Sequence, residues 1–493
     1  MGPSANDLVA GHSTDRRLRA MGHRRTFVTL LILAGCWLCG CADTRISRQA
    51  SSAAVQAAGM ADTRAVAAIV DLADEDGPQP HAEKLALLQR AGSAHRGLLT
   101  RQLAAMAATG DVDLYADNEA LLLKDGPQTF AAMFEAIAGA RRVILLESYI
   151  IDDAEVAWAL ARMLIHKRSE GVQVGVIYDD FGSLTTPSGY FDALRLGGVL
   201  VCAFNPVNPV QRPGYWDIDH RDHRKILVVD DRIAFTGGIN ISGVYASGSI
   251  AFGRGRDYDR EAGWRDTQLR IRGPAVEPLA ALLRRTWLSQ GCEGELPGFE
   301  AEAPSGGGAA GETPMWIVPS SPDDDYNRIY AMLLSAIEAS RVSVRLTMAY
   351  FAPGREMVDA LCDAARRGVS VRMILPSASD FEPVLYAGRG YYQTLLAAGV
   401  EIYEFEHAVL HAKTAIIDGV VSTVGSSNMD WRSFVGNDEV NVVVLGAPFA
   451  AAMQAMFAED LAASKKITIA EWRARPLHQR VLEALARIFE RWF

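Results

Sequence analysis

The chain has 493 residues, enough for two or more domains with substantial cores. Its 59 acidic residues outnumber 49 lysines and arginines, giving a formal charge of −10. That balance excludes a nucleic-acid binder working by overall charge, while leaving room for a locally basic site.

The first twenty residues are polar and suit no signal peptide, so Met21 is a candidate start. His23-Arg24-Arg25 and the run Thr26 to Leu33 read as a basic n-region and an apolar h-region, shorter than the roughly 20 residues a membrane span needs. Leu33-Ala34-Gly35-Cys36 resembles a lipobox, with Cys36 as the lipidated residue. Leu38-Cys39-Gly40-Cys41 is a poorer second candidate, with Cys41 in that role. A plain N-terminal anchor is the other reading, and Arg24-Arg25-Thr26-Phe27 resembles a twin-arginine signal. Residues 1–41 are therefore expected to be an extension with a lipoprotein-type signal or anchor. Residues 42–110 are alanine-rich and helical in pattern, broken at Asp76-Gly77-Pro78, with no legible function.

A strand-like run from Val143 to Ile151, a helical stretch from Ala154 to Lys167 and a second strand from Val172 to Tyr178 form a β-α-β unit. Glu147 interrupts the first strand, and a strand-interior carboxylate needs a partner. It is either a one-sided site residue or a member of an ion pair. Next comes His223-Arg224-Lys225, the apolar run Ile226 to Val229, then Asp230, and a turn carrying Gly237-Gly238-Ile239-Asn240. Residues two apart on a strand share a face, so His223 and Lys225 point the same way. The insertion Val244 to Gly263 reads as a lid, a membrane-contacting loop or a solvated excursion. A Gly/Ala/Glu/Pro-rich linker over 293–313 separates a first domain (111–292) from a second (314–464).

The second domain repeats the pattern. Val342 to Phe351, Met357 to Arg367 and Val369 to Leu375 form another β-α-β unit, in which Met348-Ala349-Tyr350 reads as the counterpart of Glu147-Ser148-Tyr149. His411-Ala412-Lys413 leads through an apolar run to Asp418 and a turn with Gly425-Ser426-Ser427-Asn428. One H-x-K-x4-D arises by chance in roughly one chain in twenty of this length. Two copies with matched asparagines imply one site built between two homologous halves. Lysine is a compact cation for non-bridging phosphoryl oxygens, and histidine serves as nucleophile or proton carrier near neutral pH. Asp266 and Glu439 follow the two asparagines and are expected to orient the histidines. Asp230 and Asp418 complete the motifs and are counted with the catalytic set, although a strand-end aspartate also suits a turn or salt bridge. The remaining cysteines, Cys202, Cys292 and Cys362, are scattered and odd in number; buried free thiols are expected rather than a disulfide framework or zinc site. Over 465–493, Leu477, Val481, Leu482, Leu485, Ile488, Phe489 and Trp492 recur at helical spacing beside arginines, which suits either a membrane-surface helix or one packed on the second domain.

The paired motifs resemble the HKD motifs of the phospholipase D superfamily, and Phe235-Thr236-Gly237-Gly238, Trp264-Arg265-Asp266-Thr267, Arg272-Gly273-Pro274 and Asn428-Met429-Asp430-Trp431-Arg432-Ser433 resemble its bacterial cardiolipin synthase branch. The likeness spans roughly Asp111 to Ser464. It implies an α/β fold of two homologous sandwich halves with pseudo-twofold symmetry and a shared active site. It also implies no metal and no cofactor, with His223 as nucleophile, His411 as acid/base, and Lys225, Lys413, Asn240 and Asn428 on the phosphoryl oxygens; a glutamate at the position of Glu147 lies by the site in that family. The expected partners are membrane phospholipids, without nucleic acid, and the expected location is the bacterial membrane, lipid-anchored and facing the periplasm or outside. The motifs leave the acceptor open between an alcohol, giving a phosphatidyltransferase, and water, giving a phospholipase D. A nuclease or other phosphodiesterase, and a non-catalytic lipid-binding protein, are further readings.

Overall fold

The computed structural model describes residues 62–91, 96–208, 217–247, 263–296 and 308–492, with isolated positions at 56, 59 and 210. The candidate lipobox, most of the insertion after Val244 (248–262) and most of the linker (297–307) lie outside the described residues.

The first half is built on β1 (Asp113–Lys124), β2 (Val143–Ser148), β3 (Gln173–Asp179), β4 (Leu200–Phe204), β5 (Lys225–Val229), β6 (Ile233–Gly237) and β7 (Thr267–Arg272). The second is built on β8 (Thr313–Ser320), β9 (Ser343–Met348), β10 (Ser370–Pro376), β11 (Glu401–Phe405), β12 (Lys413–Ile417), β13 (Val421–Gly425) and β14 (Asn437–Leu445). The first half is ordered β4-β3-β2-β5-β6-β7-β1. The second follows the same order, β11-β10-β9-β12-β13-β14-β8. In each, a parallel trio adjoins an antiparallel run, so the fold is mixed α/β with two homologous halves. The halves join where β1 pairs antiparallel with β8.

The apolar runs behind each H-x-K are buried on both sides, which is why they lack polar alternation. Ile226 and Val228 enter a core shared with Leu145, Leu269 and Leu279, and also with Ile317, Ile416, Val442 and Met453 of the other half. Leu227 and Val229 face the opposite way, against a layer that includes Phe130 and Leu160 of helices Asp125–Gly139 and Glu155–Ser169. Both halves thus own the central core, and neither buries its inner sheet face alone.

Pairing registers correct one sequence alignment. Ser148 lies opposite Lys225, and Met348 lies opposite Lys413. Glu147 therefore matches Thr347, one residue earlier than expected, and Tyr149 matches Ala349.

The cysteine reading is corrected as well. Cys202 on β4 and Cys292 beyond helix Val276–Ser289 form a disulfide, with Cα atoms 5.5 Å apart; Cys362 is a buried free thiol as expected. Closing a loop with a sequence separation of 90 removes about 4–5 kcal/mol of unfolded-chain entropy.

The alanine-rich region packs on the second half. Val66, Leu99, Leu103 and Met106 share a core with Ile329 and Leu333. Its break is a short hairpin, Asp71–Asp74 with Gly77–Pro78, whose first strand adds parallel to β1. No helix among the described residues is long and apolar enough to cross a membrane.

Candidate active site

Each H-x-K segment is stitched to the carboxylate-bearing strand of the opposite half. Arg221–Asp222 pairs parallel with Asn437–Asp438, and the His223 amide donates to the Asp438 carbonyl at 2.9 Å. In the symmetry-related place, Arg265 bridges to Leu410, and the His411 amide donates to the Arg265 carbonyl at 2.8 Å. These bonds deliver the next residue of each strand to a histidine. Glu439 oxygens lie 3.0 and 3.1 Å from Nδ1 of His223. An Asp266 oxygen lies 2.6 Å from Nδ1 of His411. The two carboxylates thus meet the histidines as the sequence suggested, but crosswise: each half supplies a histidine and the clamp for its partner's.

All of this is buried. His223, Lys225, Asn240, Asp266, His411, Lys413, Asn428 and Glu439 are each less than a tenth exposed. Burial pulls His223 down to about 4, with Glu439 opposing and Lys225 and Lys413 adding to the fall. Burial and then Lys413 lower His411, against the pull of Asp266. Burial lowers Lys225 to about 7 and Lys413 to about 8, with Glu439 and Asp266 opposing in both. The charge of Lys413 in the second half thus reaches His223 in the first. Glu439 is held below the usual carboxylate range: burial opposes this, and His223, Lys225 and a 2.5 Å hydrogen bond from Ser426 outweigh it.

Asn240 reaches the second histidine through a tyrosine. Its side-chain amide lies 3.4 Å from the Tyr245 hydroxyl, which lies 3.1 Å from Nδ1 of His411. Its carbonyl oxygen accepts from the Ile150 amide at 3.1 Å. The buried Asn428 has an amide oxygen with no hydrogen-bond partner. Aromatic rings wall the pocket. Tyr149 stands edge-on to His223, with ring centres 4.9 Å apart and Lys225 5.2 Å from its centre. Trp264 and Tyr350 approach His411 at 5.4 and 6.4 Å. Asp380, exposed at the rim, accepts from the Tyr350 hydroxyl at 2.6 Å. Sequence reasoning missed Tyr149, Tyr245, Tyr350 and Asp380. Tyr149, Tyr350 and Asp380 lie beyond the ends of β2, β9 and β10, and Tyr245 ends the short 3-10 helix Gly243–Tyr245, where no spacing rule marks them.

Three sequence candidates are not brought to the histidines. Asp230 follows the far end of β5 at φ 54°, and its carboxylate accepts from the amides of Arg141, Arg142 and Val143 at 2.7–2.9 Å. Asp418 repeats this with Arg341, Val342 and Ser343 at φ 52°. Both tie a hairpin turn to the start of the neighbouring strand, the turn role that strand-end aspartates suit. Glu147, read from the sequence as either a site residue or an ion-pair member, is found in the ion pair. It shares a strand face with Arg224, the middle residue of H-R-K, and pairs with that guanidinium at 3.1 Å. Neither of its oxygens is aligned for a hydrogen bond, and burial drives its pKa well upward despite Arg224. Arg224 also binds Asp222 at 3.0 Å and Asp438 at 3.3 Å, so the face opposite the histidines carries a cross-half ion network.

Comparison with known proteins agrees with this architecture. A family model described as cardiolipin synthase, PLD-like domain, matches residues 333–461. Cardiolipin synthase 2 of Bacillus anthracis is 33% identical over 382 residues, covering 77% of this chain and 71% of that protein. The major cardiolipin synthase of Bacillus subtilis is 32% identical over 372 residues, covering 76% and 75%. Among solved structures, phosphatidylserine synthase from Haemophilus influenzae superposes with a TM-score of 0.58 at 13% identity, covering 76% of this chain and 95% of that one, which supports the fold. By these relatives, the chain belongs to the bacterial cardiolipin synthase family, a phosphatidyl-transferring branch of the phospholipase D superfamily, and is an enzyme of that superfamily.

Proposed function

We propose that the enzyme transfers the phosphatidyl group of one phosphatidylglycerol to the glycerol hydroxyl of another, through a phosphohistidine. The observation that carries this reading is the crosswise clamp on each Nδ1. An ionised carboxylate only accepts hydrogen bonds, so Nδ1 of His223 carries its proton toward Glu439 and Nε2 keeps a lone pair. Nε2 of His223 attacks phosphorus, and the bond from phosphorus to the glycerol oxygen breaks. His411, which must enter the step as the imidazolium ion with Nδ1–H held by Asp266, gives that oxygen the proton on its Nε2. The second lipid's hydroxyl then loses its proton to His411, attacks phosphorus and releases His223. Lys225, Lys413, Asn240 and Asn428 stabilise the oxygens that gain charge.

Incubation with phosphatidylglycerol, with lipids read by mass spectrometry, should yield cardiolipin and free glycerol in equal amounts. Phosphatidic acid as the main product would mean that water is the acceptor. Chelator should leave the rate unchanged; abolition with rescue by one added metal would refute the metal-free scheme. Among the described residues no cluster of three or more His, Cys, Asp or Glu is placed to hold a metal.

The lysines set a pH limit on phosphate recognition. Below about 7 both are ammonium ions; above it Lys225, then Lys413, must take up a proton when an anion binds. Competitive inhibition by sulfate, whose charge is constant here, should weaken as pH rises from 6 to 9, by roughly tenfold per unit above 7 and roughly a hundredfold per unit above 8, where both lysines have lost their protons. Lys225→Arg, permanently charged, should flatten the first part of that slope. A slope identical to the parent's would remove Lys225 from the anion site.

We place the enzyme on the oxidising side of the bacterial membrane, anchored through Cys36. The Cys202–Cys292 disulfide supports that side, since such bonds persist in oxidising compartments.

A further inference from the structure

The C-terminal helix Leu477–Ile488 lies on the second half with its polarity reversed. An ordinary surface helix turns its apolar stripe inward. Here the inward side is polar. Glu483 is buried and bound by Arg475 at 2.6 Å; Arg487 stacks over Tyr391 at 4.2 Å and passes close over Gly390. The Tyr391 hydroxyl donates to Glu490 at 2.8 Å. The small Ala486 makes the apolar contact, against Ala352, Val384 and Ala387. The outward side is apolar: Leu477 is 75% exposed, Ile488 71%, and Val481 and Leu485 49% each. At i, i+4, i+8 and i+11 these four form one stripe.

We propose that this stripe docks on an anionic lipid bilayer and seats the active-site rim against the lipid surface. Two observations select that occupant. The first is charge: of the five arginines and two glutamates from Arg473 to Phe493, Glu483 is buried against Arg475, which leaves four exposed arginines, Arg473, Arg480, Arg487 and Arg491, against Glu490 alone. An outward apolar stripe beside arginines suits the headgroup boundary of anionic lipid, where such helices lie in the plane. The second is continuity with the site. Ala486 packs into the small cluster that also touches Tyr350 and Phe381. Tyr350 faces His411, and Arg491 lies over Trp431, which follows Asp430. The helix therefore borders the mouth through which a lipid headgroup would reach the histidines. Docking does not depend on the transfer reaction; only its link to turnover rests on the function proposed above.

The test is hydrogen exchange of the full chain in proteoliposomes of phosphatidylcholine alone and of phosphatidylcholine with 30% phosphatidylglycerol. Amides of 477–488 should exchange about tenfold more slowly in the anionic bilayer, and a variant with Leu477, Val481, Leu485 and Ile488 all changed to Ser should lose that difference. The same variant should show about a tenfold higher KM on vesicle lipid, with unchanged kcat on a short-chain phosphatidylglycerol kept below its micellar concentration. Equal exchange in both bilayers overturns the proposal. So does protection independent of lipid charge with cross-links from the stripe to residues 1–55 or to a second copy, since another occupant then covers it. Loss of lipid transfer with lipid-dependent protection retained would sink the proposed reaction and leave the docking intact.

Discussion

Given a phosphodiester with a p-nitrophenol leaving group, His411→Ala should accumulate phosphoryl label on the protein, and His223→Ala should not. Nitrophenolate departs without a proton, so attack by His223 proceeds in the first variant. Breakdown then stalls, because nothing takes the proton of the incoming hydroxyl. The overall rate should fall on the order of 10²–10⁴-fold, the span typical of a lost general acid-base. Removal of His223 removes the attacking atom itself and should leave no burst. The label should be acid-labile, as phosphoramidates are. Label on His223→Ala alone would reverse the two roles, and label on neither inactive variant would exclude the covalent step.

Glu439→Gln and Asp266→Asn should each lower kcat steeply, and each should impair the histidine of the opposite half. Loss of a carboxylate that fixes a catalytic histidine's tautomer costs up to about 10⁴ in rate in the serine protease triad. An amide can donate as well as accept, so the ring is free to turn over or to hold its proton on the wrong nitrogen. In the proposed mechanism His223 forms the intermediate and His411 resolves it, so in Glu439→Gln the nitrophenol burst itself should slow. In Asp266→Asn the burst should remain and the following steady state should slow. KM should change little in either. Equal effects on both phases in both variants would mean that the carboxylates only hold the halves together. Glu439→Asp, which keeps the charge, should recover part of the rate if orientation is the role.

The fold and the inner pocket were legible because their signals are local and repeated. His223 and Lys225, like His411 and Lys413, alternate on one strand face, and the apolar runs behind them are uninterrupted because both faces are buried. The two asparagines follow from matched offsets. What escaped depends on contacts between distant segments. Nothing near Glu147 announces that Arg224 lies beneath it, and counting across the loops misaligned its counterpart by one residue. The Cys202–Cys292 bond was hidden because connectivity does not follow from scattered thiols. Tyr245 lies at the start of the insertion and gains meaning only when His411 arrives from the other half. The C-terminal helix was visible by its period, but periodicity alone does not say which face turns inward.

The crossed clamps also bear on how the chain is made. Translation completes His223 long before Glu439 exists, and the first half emerges with its histidine unclamped and its inner sheet face uncovered. His411, made later, takes its carboxylate from residues already synthesised, but only after the halves have docked. Chemical competence therefore switches on at the last assembly step. A truncated or stalled product carries a phosphodiester-attacking motif without the partner that arms it.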